Sequence, residues 1–371
     1  MTNSSPTLRP NGTTWQALAL AAGAALTDAA LAAPAARAQT GDVRDVPDPA
    51  VIKHGDAYYI FSTADGIPIR RSRDLVRWEV IGRVFPTAVP SWAQRAVPGT
   101  QFPWAPDVAQ FGGRYNLYYS LSTFGSQRSV IALATNVTLD PADPRYRWED
   151  RGQVLESRPG VSTFNAIDPA AAVDAQGQPW LAWGSFWGGI KLRRLDAATG
   201  KLSPADTVTY SLAARGGPDA LKGPSDTQAI EGPYIVRRGG HYYLFVSFDM
   251  CCQGANSTYN VRVGRSAHIT GPYVDRDGVP MLRGGGTLVL AGHGVVRGPG
   301  HNAVLTDGDR QYLVHHYINA NAGPASPNDP LGIPRSLQIR PLHWGWDGWP
   351  IAGEPLTPPA VPAARPASGT P

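Results

Sequence analysis

Residues 230–247 read IEGPYIVRRGGHYYLFVS, and the architecture is legible from this stretch outward. A short apolar run from Tyr234 to Val236 passes through Gly239-Gly240 into an aromatic, β-prone run from Tyr242 to Val246. Two such runs joined by a glycine turn spell a β-hairpin. An acid, Glu231, stands in a Gly-Pro turn at its head. Four other stretches repeat the plan: VPDPAVIKHGDAYYIFS around Asp48, WAPDVAQFGGRYNLYYS around Asp107, AIDPAAAVDAQGQPWLAWGS around Asp168 and GPGHNAVLTDGDRQYLVHHY around His301. The marked residues follow one another at 59, 61, 63 and 70 residues. A unit repeated at that period, each copy opening on a polar residue, brings distant side chains to one axis.

Behind each hairpin lie traces of further strands, in RSRDLVRWEVIG (71–82), YRWEDRGQVL (146–155) and, more faintly, GRSAHITGPYVDRDG (264–278). About 60 residues suffices for a four-stranded antiparallel sheet, so the predicted fold is all-β, a five-bladed β-propeller with four-stranded antiparallel blades. No segment carries sustained helical periodicity, which excludes a βαβ architecture. Trp78 and Trp148 fall in outer strands and read as core. The marked residues should converge at one mouth of the central channel.

Composition agrees. Of 371 residues only 17% are charged, while 41 Gly, 35 Pro and 11 Trp suit a turn-dense β protein. The net charge is +4, but Lys and Arg are scattered among acids with no basic run, so nucleic acid is not an expected partner. No stretch after the leader is apolar for long enough to span a membrane. Residues 1–38 read as a leader: an Ala/Leu-rich segment from Ala17 to Ala36, broken by Thr27 and Asp28, ends in Ala36-Arg37-Ala38, a signal-peptidase-like site that would leave Gln39 first. The expected organisation is therefore a leader, a propeller domain over 39–353 and a disordered Pro/Ala-rich tail over 354–371, in a secreted or periplasmic monomer. The adjacent Cys251 and Cys252 are either two thiols on opposite faces of a strand or a vicinal disulfide. His315 and His316 alternate on a strand, so only one can face the channel.

Asp48 and Asp168 each precede a proline and Glu231 precedes Gly-Pro, which fixes the turn that aims each acid. A lone Asp-Pro is an ordinary turn former. Three acids in matching phase of one repeat point to chemistry. Glycosidic hydrolysis with inversion needs one carboxylate to activate water and a second, protonated, to protonate the leaving oxygen, and a third nearby would keep that proton in place. Asp107 shares the phase and reads either as a supporting site residue or as an acceptor of backbone hydrogen bonds.

These motifs, together with FPWAPDVAQFGGRYNLYYSLSTFGSQRSVIALATN (102–136) and the CCxGxxSTYxxxVGRS pattern that ends at Ser266, resemble the endo-1,5-α-L-arabinanases of glycoside hydrolase family 43. The resemblance runs from Val43 to Ile351. It implies Asp48 as general base, Glu231 as general acid and Asp168 as the carboxylate tuning that acid. It also implies a metal, calcium, near His301 on the channel axis, and arabinan as the polysaccharide partner. Calcium prefers oxygen, so His301 would fill one position in a shell otherwise made of water. The chain departs from the family in having Pro47 where His precedes the base. A furanoside chain offers apolar C–H faces and ring hydroxyls, which makes Trp104, Phe124 and Trp187 candidate stacking surfaces and Asn165, Ser185 and Thr123 candidate hydroxyl partners, with Asp107 in support. The competing readings are an exo-acting arabinofuranosidase or xylosidase on the same scaffold, and a carbohydrate-binding propeller without catalysis.

Overall fold

The computed structural model describes residues 39–219, 228–322, 332 and 334–357. Within the unit from Ala36 onward these form five antiparallel sheets arranged as a five-bladed β-propeller. Blade 1 holds Ala50–His54, Ala57–Phe61, Pro68–Ser72 and Arg77–Arg83, with Thr40–Gly41 added in parallel at its outer edge. Blade 2 holds Trp104–Phe111, Arg114–Leu121, Ser129–Asn136 and Glu149–Ser157. Blade 3 is Ala170–Val173, Pro179–Trp183, Ile190–Arg194 and Tyr210–Ala213, and blade 4 is Ile230–Arg238, His241–Phe248, Asn260–Ser266 and Thr287–Leu290. Val296–Asp307, Arg310–Asn319, Ser336–Trp344 and Pro350–Ala352 make blade 5. The one α-helical element among the described residues is the single turn Ala93–Ala96.

The aromatic second strands lack polar alternation because both of their faces are buried. In blade 4, Tyr242, Leu244, Val246 and Phe248 pack toward blade 3, whereas Tyr243 and Phe245 pack toward blade 5. In blade 1 the same period of two sends Tyr59 and Phe61 to the seam with blade 2 and Tyr58 and Ile60 to the seam with blade 5. The core is thus five seams between neighbouring blades, and each fully buried Leu or Phe contributes about 1.5–3 kcal/mol to them. Outer strands have one exposed face: in Arg77–Arg83 the buried residue is Trp78, the expected core residue. Trp148 meets Phe61 edge-on.

Blade 4 differs from the sequence reading. Its fourth strand is Thr287–Leu290, not the 264–278 segment, which turns back on itself through the bridges Arg265↔Val274 and Val274↔Pro280. Gly271-Pro272 and Gly278 break that segment into turns before a fourth strand can form. The ring closes where Leu337 N–H donates to Val43 O (2.8 Å) and Val46 N–H to Arg335 O (3.0 Å). Gln39, the residue expected after the leader, is buried, and its amide bonds Ile339 O and Leu356 O. The tail expected from Glu354 therefore begins hydrogen-bonded to blade 5 through Leu356; its remainder and the leader lie outside the described residues.

Candidate active site

Each innermost strand enters through a residue in the left-handed region: Asp48 (φ 51°), Ala105 (42°), Asp168 (57°), Gly232 (57°) and His301 (47°). This is the true phase of the repeat. Asp48, Asp168 and His301 share it, Glu231 stands one residue before it, and Asp107 two residues after. A positive φ costs a non-glycine residue on the order of 1–3 kcal/mol and persists only where the surroundings impose it. Here the surroundings are a ring of hydrogen bonds between neighbouring blades. Thr63 Oγ1 accepts from Ala105 N–H (2.7 Å), Ser120 Oγ from Asp168 N–H (3.0 Å) and Ser247 Oγ from His301 N–H (2.8 Å), while His316 Nδ1 accepts from Asp48 N–H (3.0 Å). Blade 3 has Gly184 at the accepting position, and the Asp168 carboxylate takes the N–H of Gly232 instead (3.2 Å).

The consequence is one cleft of about 240 Å³ lined by Asp48, Asp168 and Glu231 together. Asp48 Oδ2 accepts from the Thr63 hydroxyl (2.5 Å), and its Oδ1 lies 3.3 Å from His301 Nδ1. Burial would raise this carboxyl, but His301, His316, Arg335 and the Thr63 hydrogen bond outweigh it and hold it below the ordinary carboxylate value. His316 is itself driven well below the usual histidine range by burial, and its Nδ1 accepts a hydrogen bond from the Asp48 backbone N–H. Arg335 is a fixed positive charge beside Asp48. Asp168 moves the other way: burial, then the charges of Glu231 and Asp48, raise it well above the ordinary value. Glu231 rests on two hydroxyls, Tyr259 to Oε1 (2.8 Å) and Ser185 to Oε2 (2.7 Å). Hydroxyls donate or accept, so this seat suits the acid and its conjugate base alike. Gly300 makes the seat possible, because a Cβ there would fall 2.1 Å from the Tyr259 ring.

Trp104, Phe124, Trp187, Asn165, Ser185, Thr123 and His301 all line the cleft. Phe124 is 81% exposed at the rim and Trp187 6% exposed in the wall. Two residues expected to meet sugar hydroxyls have protein partners: Ser185 holds Glu231, and Asn165 braces Ser126 O. Asp107 is a correction. It is 5% exposed, does not line the cleft, and accepts the Ala171 N–H of blade 3 at 2.7 Å, with burial raising it to about 7. It joins two blades, which is the structural alternative its Pro-Asp turn allowed. Tyr259, Arg335 and Thr63 escaped the sequence reading, which left the channel-facing histidine open between His315 and His316. The signal for Thr63, Ser120, Ser247 and His316 was present: a hydroxyl or imidazole at the same phase of the second strand's end in four of the five blades. Of the two adjacent histidines only His316 faces the cleft, while His315 is fully buried on the opposite face of the strand. Among the described residues no three His, Cys, Asp or Glu side chains gather as a metal cage; His301 lies in the cleft with Nδ1 turned to Asp48 and its ring stacked on that of His316, centroids 6.3 Å apart.

A propeller whose mouth gathers one carboxyl held below the ordinary value, one raised above it and a third seated on hydroxyls carries the equipment of the glycoside hydrolase class. Residues 43–350 match the family described as glycosyl hydrolases family 43, and the chain belongs to it. It is 43% identical over 315 residues to an extracellular exo-α-(1→5)-L-arabinofuranosidase of Cellvibrio japonicus, covering 84% of this chain and 87% of that protein. Over 337 residues it is 40% identical to an extracellular endo-α-(1→5)-L-arabinanase of Bacillus subtilis, covering 90% and 94%. The structure of the Cellvibrio cellulosa α-L-arabinanase complexed with arabinohexaose superposes with a TM-score of 0.75 at 40% identity, covering 83% of this chain and 95% of that one.

Proposed function

We propose that this enzyme hydrolyses the α-1,5-linked L-arabinofuranosyl bonds of arabinan internally and with inversion. The observation that carries the reading is three carboxyls gathered in one cleft with opposite tuning: Asp48 is held below the ordinary carboxylate value, while Asp168, beside Glu231, is raised well above it. Asp48, fixed by Thr63, takes a proton from a water attacking the anomeric carbon. Glu231 delivers a proton to the leaving oxygen, with Tyr259 and Ser185 aiming its two oxygens. Asp168 keeps a proton on the acidic pair and thereby tunes Glu231. Trp104, Trp187 and the rim ring of Phe124 face the sugars' C–H surfaces.

An exo-acting second reading is favoured by the 43%-identical Cellvibrio relative. Products from linear arabinan separate the two. Mixed short oligomers in the first per cent of reaction support the endo reading, and a single product size from the start refutes it. We propose further that a calcium ion, carried mostly by water, takes the second ring nitrogen of His301 as its one protein ligand. When bound, the ion supplies positive charge on the channel axis, and removal by a chelator should lower the melting temperature or the turnover reversibly. We place the enzyme outside the cytoplasm as a monomer, in line with the extracellular relatives. Among the described residues no helix is long and apolar enough to cross a membrane.

A further inference from the structure

Cys251 and Cys252 form a disulfide, and both line the cleft together with Arg335. Arg335 is 2% exposed, and its Nη2 donates to Cys252 Sγ at 3.2 Å. The loop that carries the disulfide is tied to the strand that follows it: Met250 O accepts from Thr258 N–H (3.0 Å) and Tyr259 N–H (3.1 Å), and Gln253 N–H donates to Ser257 Oγ (2.9 Å). Tyr259 is the residue whose hydroxyl meets Glu231. Its ring also stacks on His316, 6.1 Å away and 21° from parallel, and His316 accepts the N–H of Asp48. The disulfide loop therefore bears on the supports of both working carboxyls: Cys252 meets Arg335, and its flanking residues Met250 and Gln253 bond the segment from Ser257 to Tyr259. On one side Arg335 stands among the charges around Asp48; on the other, the loop's hydrogen bonds run to Tyr259 and Glu231.

We propose that the Cys251–Cys252 disulfide and Arg335 act as one positioning unit, which holds Asp48 and Glu231 in their working relation across the cleft. The bond locks the loop so that one sulfur is presented to the guanidinium and Tyr259 keeps its seat. Without the bond two thiols must separate to van der Waals distance, and either the Arg335 contact or the Tyr259 anchor moves. Because catalysis depends on sub-ångström placement, such a shift lowers turnover by roughly ten- to a hundredfold while the stacking surfaces, on other blades, still bind sugar. This inference rests on the hydrolytic reading of the site.

The test is steady-state kinetics on linear arabinan with C251S/C252S, R335M, R335K and the combined C251S/C252S/R335M variant, each with its thermal melt. Wild type is also assayed after treatment with a water-soluble phosphine, which gives the disulfide two electrons and takes up oxygen from water while the sulfurs gain two protons. The expected result is a fall in kcat with KM within about twofold in C251S/C252S, R335M and the reduced wild type, partial recovery in R335K, and a combined variant no worse than the weaker parent. Unchanged kcat in C251S/C252S and in the reduced wild type overturns the proposal. So do losses that multiply in the combined variant, or a loss confined to KM or to melting temperature. A wild type with no activity on arabinan ends the hydrolytic reading and this inference with it; an active wild type with indifferent variants ends only the inference.

Discussion

Replacing Asp107 by Asn should change how the propeller's stability responds to pH. Burial raises this carboxyl from 3.8 to about 7, although Ala171 and Val108 N–H groups oppose the shift. A folded-state value above the unfolded one means that the unfolded chain gives up its proton first. The residue's contribution is fully present below 3.8, declines as pH rises, and is gone once pH passes about 7. A shift of about three units corresponds to about 4 kcal/mol over the whole window. Between pH 5 and pH 8 the wild type should lose about 3 kcal/mol through this residue alone, a large share of a typical folding free energy. The Asp107→Asn side chain cannot ionise, and its amide oxygen can still accept the Ala171 N–H. Denaturant titrations of both proteins at pH 5 and pH 8 provide the measurement, because every other titrating group cancels in the comparison. The variant should gain about 3 kcal/mol on the wild type between the two conditions. A difference that stays constant with pH would mean that Asp107 folds as a carboxylate, and the burial argument would fail.

Glu231→Gln should lower turnover of linear arabinan by about 10²–10⁴ while leaving the affinity for arabino-oligosaccharides within a few-fold, measurable by calorimetry. Tyr259→Phe removes the hydroxyl from Glu231 Oε1 and should lower kcat roughly two- to tenfold, the effect of one ordinary hydrogen bond, with KM unchanged. Thr63→Val leaves the Ala105 N–H without its acceptor and Asp48 without a donor. It should lower stability by about 1–3 kcal/mol and also impair kcat, whereas Ser120→Ala, which faces only the Asp168 backbone, should mainly lower the melting temperature.

Much of this molecule was legible in its sequence because the repeat is strong. The hairpins at Tyr58–Phe61 and Tyr242–Val246 could be read from turn chemistry and β-propensity, since the two-sided burial of these strands leaves only apolar and aromatic choices. The three acids could be read because proline fixes the turns that aim them. What escaped was register and long-range partnership. The repeat's phase runs through Ala105 and Gly232, which have no chemistry of their own to mark it, so Asp107 reads as the equivalent of Asp48 although it lies two residues further on and bridges blades. Tyr259 and Arg335 come from loops and strands far from the acids in sequence, and only the closed ring brings them to the cleft. The adjacent cysteines were ambiguous for the same reason: the loop that pairs them is set by bonds to Thr258 and Tyr259 rather than by their spacing.

The central claim is that Asp48 and Glu231 act on opposite sides of one glycosidic bond, with Asp48 delivering water and not itself attacking. Proton NMR of the first turnovers on a linear α-1,5-arabino-oligosaccharide tests this directly. The β-anomer should be the initial product, with the α-anomer growing only by mutarotation. An initial α-anomer would mean retention through a covalent intermediate and would contradict it.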